Sequence, residues 1–184
     1  MTINQATIDL VKRWEGFKAD AYRCPAGVWT IGYGITAGAG IGVDPKPGMR
    51  VTEAQAERHL AQALERFAAQ IRPSITAPIN ENEFGAFLSL AYNIGAGGFR
   101  GSSALRHFNA GDKARAAAAI KLWNKATVNG KRQTLQGLVN RREDEVRLFL
   151  TPVAAQPAPS APAPSTNPLV ALLRALAALF GGRK

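Results

Sequence analysis

The sequence predicts an α+β fold, a small sheet-bearing lobe joined through a long helix to a larger helical lobe, within residues 1–150. Three observations predict it. Between residues 17 and 43 the helical period vanishes, and Tyr22, Val28, Trp29, Ile31, Tyr33 and Ile35 alternate loosely with glycine, as in a small antiparallel sheet. Thr52-Glu53-Ala54-Gln55 has the form of a capping box and opens a long helix that runs to about Ile71, before Pro73 stops it. Phe84, Phe87, Leu88 and Ala91 fall at i, i+3, i+4 and i+7, the stripe of a core-facing helix.

The elements follow in order. Ile8, Leu10, Val11 and Trp14 mark a first helix, with Asn4 as its candidate cap and Glu15 at its end. Asp44-Pro45-Lys46-Pro47-Gly48 reads as a loop. Asn80 and the acids behind it open the striped helix, and the glycine-rich run 95–98 breaks it. Further helices are expected near 102–109, 112–124 and 135–150. Composition then changes sharply. Residues 151–168 contain six prolines and read as a semi-stiff linker. In residues 169–184, Leu169, Leu172, Leu173, Leu176, Leu179 and Phe180 make one helical stripe beside Arg174, Arg183 and Lys184. A short cationic amphipathic helix of this kind suits an anionic membrane or a lipopolysaccharide surface.

The net charge of +10 points to an anionic partner, whether nucleic acid, anionic lipid or an acidic wall polymer. The nucleic-acid reading lacks basic clusters interleaved with aromatics, helix-turn-helix spacing and zinc ligands, so no nucleic-acid partner is expected. Cys24 is the only cysteine, which leaves no intrachain disulfide and fits synthesis in a reducing compartment. The first residues have no basic start followed by an apolar run, so no secretory signal is read there. No stretch approaches the roughly 20 apolar residues that span a bilayer. No cofactor and no metal site are expected.

The chemistry concentrates in one segment. Glu15 ends the first helix; eight residues separate it from Cys24, and five separate Cys24 from Thr30. A glycine-punctuated hairpin thus folds a thiol and a hydroxyl back toward a carboxylic acid. Glycosidic cleavage needs a proton for the leaving oxygen and a nucleophile at the anomeric carbon. Glu15, flanked by Trp14, Gly16 and Phe17, suits the first role, because apolar surroundings disfavour the charged form of an acid. A water held by the Cys24 thiol and oriented by the Thr30 hydroxyl suits the second. That arrangement favours single displacement with inversion over a covalent glycosyl-enzyme. Asp20 is a nearby carboxylate of unsuitable spacing and reads as a turn or surface residue. His59 reads as a solvated helix residue and His107 as a surface or packing residue.

The run Trp14-Glu15-Gly16-Phe17, Ala21-Tyr22-Arg23-Cys24 and Gly27-Val28-Trp29-Thr30-Ile31-Gly32-Tyr33-Gly34 resembles the phage-type lysozyme (endolysin) family. The resemblance continues through Ala91-Tyr92-Asn93-Ile94-Gly95, the segment 105–112 and the segment 136–143, so that it covers about residues 4–150. It implies a lysozyme-like fold and a muramidase acting on bacterial peptidoglycan, with Glu15, Cys24 and Thr30 as the catalytic set. It also implies that Arg141 or Arg142 reaches Glu15, without deciding which. Many members carry histidine after Tyr-Gly, where this chain has Ile35. With no secretory signal read, accumulation in the host cytoplasm is expected, and action at the wall, in the periplasm, after the membrane is permeabilised by a holin-type partner or by the chain's own tail.

Three other functions compete. A lytic transglycosylase needs one acid and no water-positioning threonine, so Thr30 argues against it. A thiol peptidase would pair Cys24 with His59 or His107, although neither histidine has a recognisable flank. A basic nucleic-acid-binding protein remains as the non-enzyme reading.

Overall fold

The computed structural model describes residues 2–153, apart from Pro25 and Asn129. The linker and C-terminal helix read at 151–168 and 169–184 lie, beyond residue 153, outside the described residues. The first helix, α1 (Gln5–Glu15), is capped by Asn4, whose side chain accepts from the Thr7 N–H at 3.0 Å. The chain then forms an antiparallel pair, β1 (Lys18–Arg23) and β2 (Trp29–Gly32), in which Tyr22 faces Thr30 and Arg23 faces Trp29. Its outer edge is extended by main-chain bonds from Ala21 to Met49 and from Val51 to Ala19, each 2.9 Å. Asp20 forms an exposed ion pair with Arg50 at 2.8 Å, which matches the surface role read for it.

The long helix α2 (Glu53–Ile71) begins at the expected capping box: Thr52 Oγ1 accepts from Gln55 N at 3.2 Å, and Gln55 Oε1 accepts from Thr52 N at 2.8 Å. Leu60, Ala63, Leu64, Ala68 and Ile71 form its buried stripe. A second capping box, between Asn80 and Glu83, opens α3 (Glu81–Arg100). The expected break in α3 is confined to Gly95, which is non-helical; the chain resumes its helical course and buries Phe99. Two short helices, α4 (Ser103–Asn109) and α5 (Lys113–Ile120), lead to α6 (Gln136–Leu150).

Two expectations need correction here. The helix expected over 112–124 ends at Ile120, and the segment that follows is an exposed hairpin, β3 (Lys125–Val128) with β4 (Lys131–Thr134). His59 is half-buried in α2 rather than solvated, with its Nδ1 buried and unpartnered.

The helical lobe is organised around Phe87 on α3. Its ring lies 5.1 Å from Phe99, 5.1 Å from Phe108 and 5.3 Å from Phe149, which joins α3, α4 and α6 in one aromatic cluster. α3 and α1 cross at Gly85, where a Cβ would lie 1.9 Å from Thr7 Oγ1. Thr7 cannot readily turn away: it is fully buried, and its hydroxyl donates to Asn4 at 2.7 Å. This close crossing sets the distance between the helix that ends in Glu15 and the helix that carries Tyr92.

Gly85→Ala is therefore expected to lower stability by about 1–3 kcal/mol, as overpacking does, measured by urea unfolding. Thr7→Ala in the same chain should recover a large part of that loss. An unchanged midpoint in the single variant would show that the two helices can separate at little cost.

Candidate active site

Glu15 is the last residue of α1, and Gly16 turns the chain away with its N–H on Lys12 O at 3.0 Å. The carboxyl group is therefore held at a helix end, at the mouth of a cavity of about 400 Å³. Gly34, Thr36, Phe67, Tyr92 and Asn93 line the same cavity. The Glu15 side chain is 20% exposed, so it faces a cleft rather than bulk solvent. Arg141 Nη1 on α6 donates to Glu15 Oε1 at 2.8 Å. The other oxygen, Oε2, sits over Gly34, where a Cβ would approach it to 3.2 Å. Gly34 also has φ +82°, so a side chain there is excluded by backbone conformation as well as by the carboxylate. The Tyr92 hydroxyl donates to Tyr33 O at 3.0 Å and ties α3 to the sheet lobe next to the acid. Burial and the neighbouring Glu15 charge raise the Tyr92 phenol far above its ordinary value, so it remains a neutral donor.

The apolar surroundings expected for Glu15 are only part of what is found. Arg141 answers the question of which arginine reaches the acid. Its guanidinium is buried and bridges to Glu145 Oε1 at 3.3 Å and to Ser89 O at 3.4 Å. Arg142, also buried, turns the other way, to Asn93 Oδ1 at 3.0 Å and Glu145 Oε1 at 3.1 Å.

Cys24 follows β1 and is half-buried in a tight turn. Its N–H donates to Val28 O at 3.0 Å, and its carbonyl accepts from Gly27 N at 2.7 Å. Backbone hydrogen bonds at Val28 and Ala26 hold the thiol below its ordinary value against a smaller burial effect, and the Thr30 hydroxyl adds in the same direction. Thr30 is 3% exposed, and its hydroxyl donates to Val28 O at 3.1 Å. The structure thus brings Cys24 and Thr30 together on one hairpin. The Tyr22 phenol, on β1 opposite Thr30, is raised by burial, then by the charges of Cys24 and Glu15. Among the described residues, neither His59 nor His107 hydrogen-bonds Cys24, and no group of three His, Cys, Asp or Glu side chains could hold a metal ion.

Sequence reasoning assigned no role to Gly34, Tyr92 or Glu145. The first two lie in quoted motifs and could have been found there. Glu145 offered only its spacing from two arginines.

A carboxyl group facing a cleft where a small sheet lobe meets a helical lobe places the chain among the lysozyme-like glycoside hydrolases. The chain belongs to the phage lysozyme family, whose model matches residues 12–145. It is 40% identical over 149 residues to the endolysin of Acyrthosiphon pisum secondary endosymbiont phage 1, covering 81% of this chain and 98% of that protein. The solved endolysin of Escherichia coli O157:H7 phage FAHEc1 superposes with a TM-score of 0.76 at 39% identity, over 85% of this chain and 98% of that one. The muramidase domain of SpmX from Asticaccaulis excentricus gives a TM-score of 0.75 at 35% identity, over 82% and 99%. The chain is accordingly an endolysin-type peptidoglycan hydrolase that acts on the cell wall.

The Cys24 environment generates a direct prediction. Because the folded state favours the thiolate, alkylation by iodoacetamide should reach half its limiting rate at a lower pH than for free cysteine measured alongside. A midpoint at or above that of free cysteine would show that the hairpin amides do not support the sulfur.

Proposed function

We propose that the chain cleaves the β-1,4 bond between N-acetylmuramic acid and N-acetylglucosamine, with Glu15 as general acid. The supporting observation is the division of labour at its carboxyl group: Oε1 is held by Arg141, while Oε2 faces the cavity over Gly34. The leaving glycosidic oxygen takes the proton from that second oxygen. Cys24 and Thr30 hold the attacking water on the other side of the sugar, so that one displacement forms the new C–O bond as the glycosidic C–O bond breaks and inverts the anomeric carbon; the water's surplus proton leaves to solvent, and Glu15 is reprotonated from solvent before the next turnover. Gly34 admits a sugar close to the acid because nothing projects from it. The solved muramidase domain of similar structure supports the choice of bond.

The test follows new reducing ends on purified peptidoglycan. Glu15→Gln should lower the rate by at least about 10²–10⁴-fold, the usual worth of a positioned acid. Thr30→Ala should lower it less. Cys24→Ser should keep measurable activity, whereas a thiol peptidase would lose all of it. Anhydro-sugar ends in the products, in place of reducing ends, would indicate a transglycosylase and remove the positioned water. Full activity in Glu15→Gln would remove the general acid.

The positive charge has a matching account. Between Asp112 and Glu143 the sequence has no acidic residue, and Lys121, Lys125, Lys131 and Arg132 lie exposed on or beside the β3–β4 hairpin. Peptidoglycan carries lactyl and stem-peptide carboxylates, so this face favours encounter with the wall. Synthesis in the host cytoplasm, release through a holin-permeabilised membrane and contact of residues 169–184 with anionic membrane or lipopolysaccharide complete the proposal.

Cells expressing the full chain, or the chain lacking residues 151–184, are expected to stay turbid until the membrane is permeabilised and then to lyse. Only the full chain should sediment with phosphatidylglycerol vesicles. Lysis of intact cells without permeabilisation would remove the need for a release partner, and equal vesicle binding by the truncated chain would remove the role of the tail.

A further inference from the structure

Behind Glu15 lies a buried cluster of charge that the proposed reaction does not use directly. Glu145 is fully buried, and its Oε1 accepts from Ser89 Oγ at 2.8 Å, Arg142 Nη2 at 3.1 Å and Arg141 Nε at 3.3 Å. Its Oε2 lies 3.0 Å from Arg142 Nε, an ion-pair distance without hydrogen-bond alignment, so both atoms remain without a hydrogen bond, as does Arg142 Nη1. Arg142 is itself 1% exposed. Two guanidiniums and two carboxylates, counting Glu15, thus share one largely buried pocket and sum to zero.

Such a cluster is not explained by stability. Moving charges out of water costs several kcal/mol per ion, and apolar residues of similar volume often do as well or better. What it does provide is a fixed field at one point. Arg141 is the shared member: one end of its guanidinium meets Glu15, and its Nε meets Glu145. A lone buried arginine at Glu15 would oppose every protonation of that acid. Glu145 places a negative charge on the far side of the same guanidinium and offsets it.

The geometry points to Glu145 as a positioning residue that aims Arg141 at Glu15 and balances its charge, so that Glu15 can take up a proton without leaving two uncompensated cations in the pocket. This inference rests on the proposed role of Glu15 as general acid. The other groups that face the pair are accounted for. From α3 come Ser89 and Asn93, which are neutral, and Tyr92, which stays protonated. From β1 comes Tyr22, raised above its ordinary value by burial and by Cys24 and Glu15. From α6 comes Arg142, which burial pushes down to about 10, still cationic at neutral pH. Burial pushes the Glu145 carboxyl up, while Arg142, Arg141 and Ser89 act in the opposite direction. The Asp144–Arg13 pair at 3.4 Å joins α6 to α1 nearer the surface.

The experiment compares the wild type with Glu145→Gln, Arg142→Gln and the double variant, measuring kcat/KM against pH on a soluble peptidoglycan fragment. Near-ultraviolet circular dichroism confirms that each is folded. Removing the Glu145 charge should move the alkaline limb to lower pH by about one unit, the order of effect of one charge acting on the acid through the shared guanidinium. Removing the Arg142 charge should move it the other way. The double variant, neutral again, should return close to the wild type. A structural role alone would lower activity at all pH values without moving the limb.

An unmoved limb in folded Glu145→Gln, or a double variant shifted as far as the single one, would overturn the inference. If Glu145→Gln does not fold, the upward shift in Arg142→Gln decides it, and no shift there is equally fatal. Carboxyl carbon NMR of Glu15 in the same variants reads the titration without turnover. Failure of the general-acid role, seen as activity in Glu15→Gln, is thereby distinguishable from failure of the charge balance.

Discussion

The ion pair between Glu15 and Arg141 spans nearly the whole catalytic chain and joins the end of the first helix to the middle of the last. Neither residue has meaning without the other. An acid at an open helix end would be hydrated and mobile, with its two oxygens equivalent. The arginine makes them different, one held and one available. Everything that places these two helices therefore bears on the site: the Asn4 cap, the close crossing at Gly85, and the Phe87 cluster that gathers α3, α4 and α6. Asn4 adds a direct link, because its amide donates to Asn82, which in turn donates to Thr151 O just after α6.

The acid and the proposed water site have different supports. Glu15 is carried by the helical lobe. Cys24 and Thr30 are carried by a hairpin of two short strands, with a register irregularity between Lys18 and Tyr22. That hairpin is anchored by the edge bonds to residues 49–51 and by Tyr92 reaching Tyr33 O, while the Tyr33 hydroxyl donates to Glu53 on α2. The distance between proton donor and water is thus set by how the sheet lobe sits on α3. The Tyr92 hydroxyl bonds across the two near the acid, and α3 positions it one turn after the buried Leu88.

How far the sequence could be read depended on whether local chemistry or long-range packing decides each feature. The Thr52 box is written in four residues and forms as read, and the helix start read at Asn80 proves to be a second box of the same kind. The Phe84–Phe87–Leu88–Ala91 stripe needs only the helical period, and all four are buried. The β3–β4 hairpin was missed because Lys131-Arg132-Gln133-Thr134 is exposed throughout and carries no apolar alternation. The Asn-Gly pair at 129–130 was its one signal. At the candidate site, the pairing of Cys24 with Thr30 was legible because one hairpin carries both, whereas Glu15 ends α1. The choice between Arg141 and Arg142 was not. Adjacent residues on a helix point about 100° apart, and only the packing of α6 on α3 selects which faces α1. Glu145 was hidden for a related reason: within Arg141-Arg142-Glu143-Asp144-Glu145, dense charge reads as a solvated face, yet three of the five are buried.

The proton inventory of the hairpin clarifies the proposed use of Thr30. Its hydroxyl has a single proton, and the structure directs it to Val28 O at 3.1 Å. The same hydroxyl supports the Cys24 sulfur, and it cannot donate to both at once. While the proton rests on Val28, Thr30 offers water only acceptor lone pairs. The Cys24 sulfur is a weak acceptor as well. A water between the two would then donate both of its protons, one to oxygen and one to sulfur. Its own lone pairs would be left free to attack a sugar carbon. A threonine donating to the water instead would occupy one of those pairs and weaken the nucleophile. The Val28 carbonyl, which also accepts from the Cys24 N–H at 3.0 Å, thus sets which way the Thr30 hydroxyl proton points and leaves its lone pairs to the proposed water.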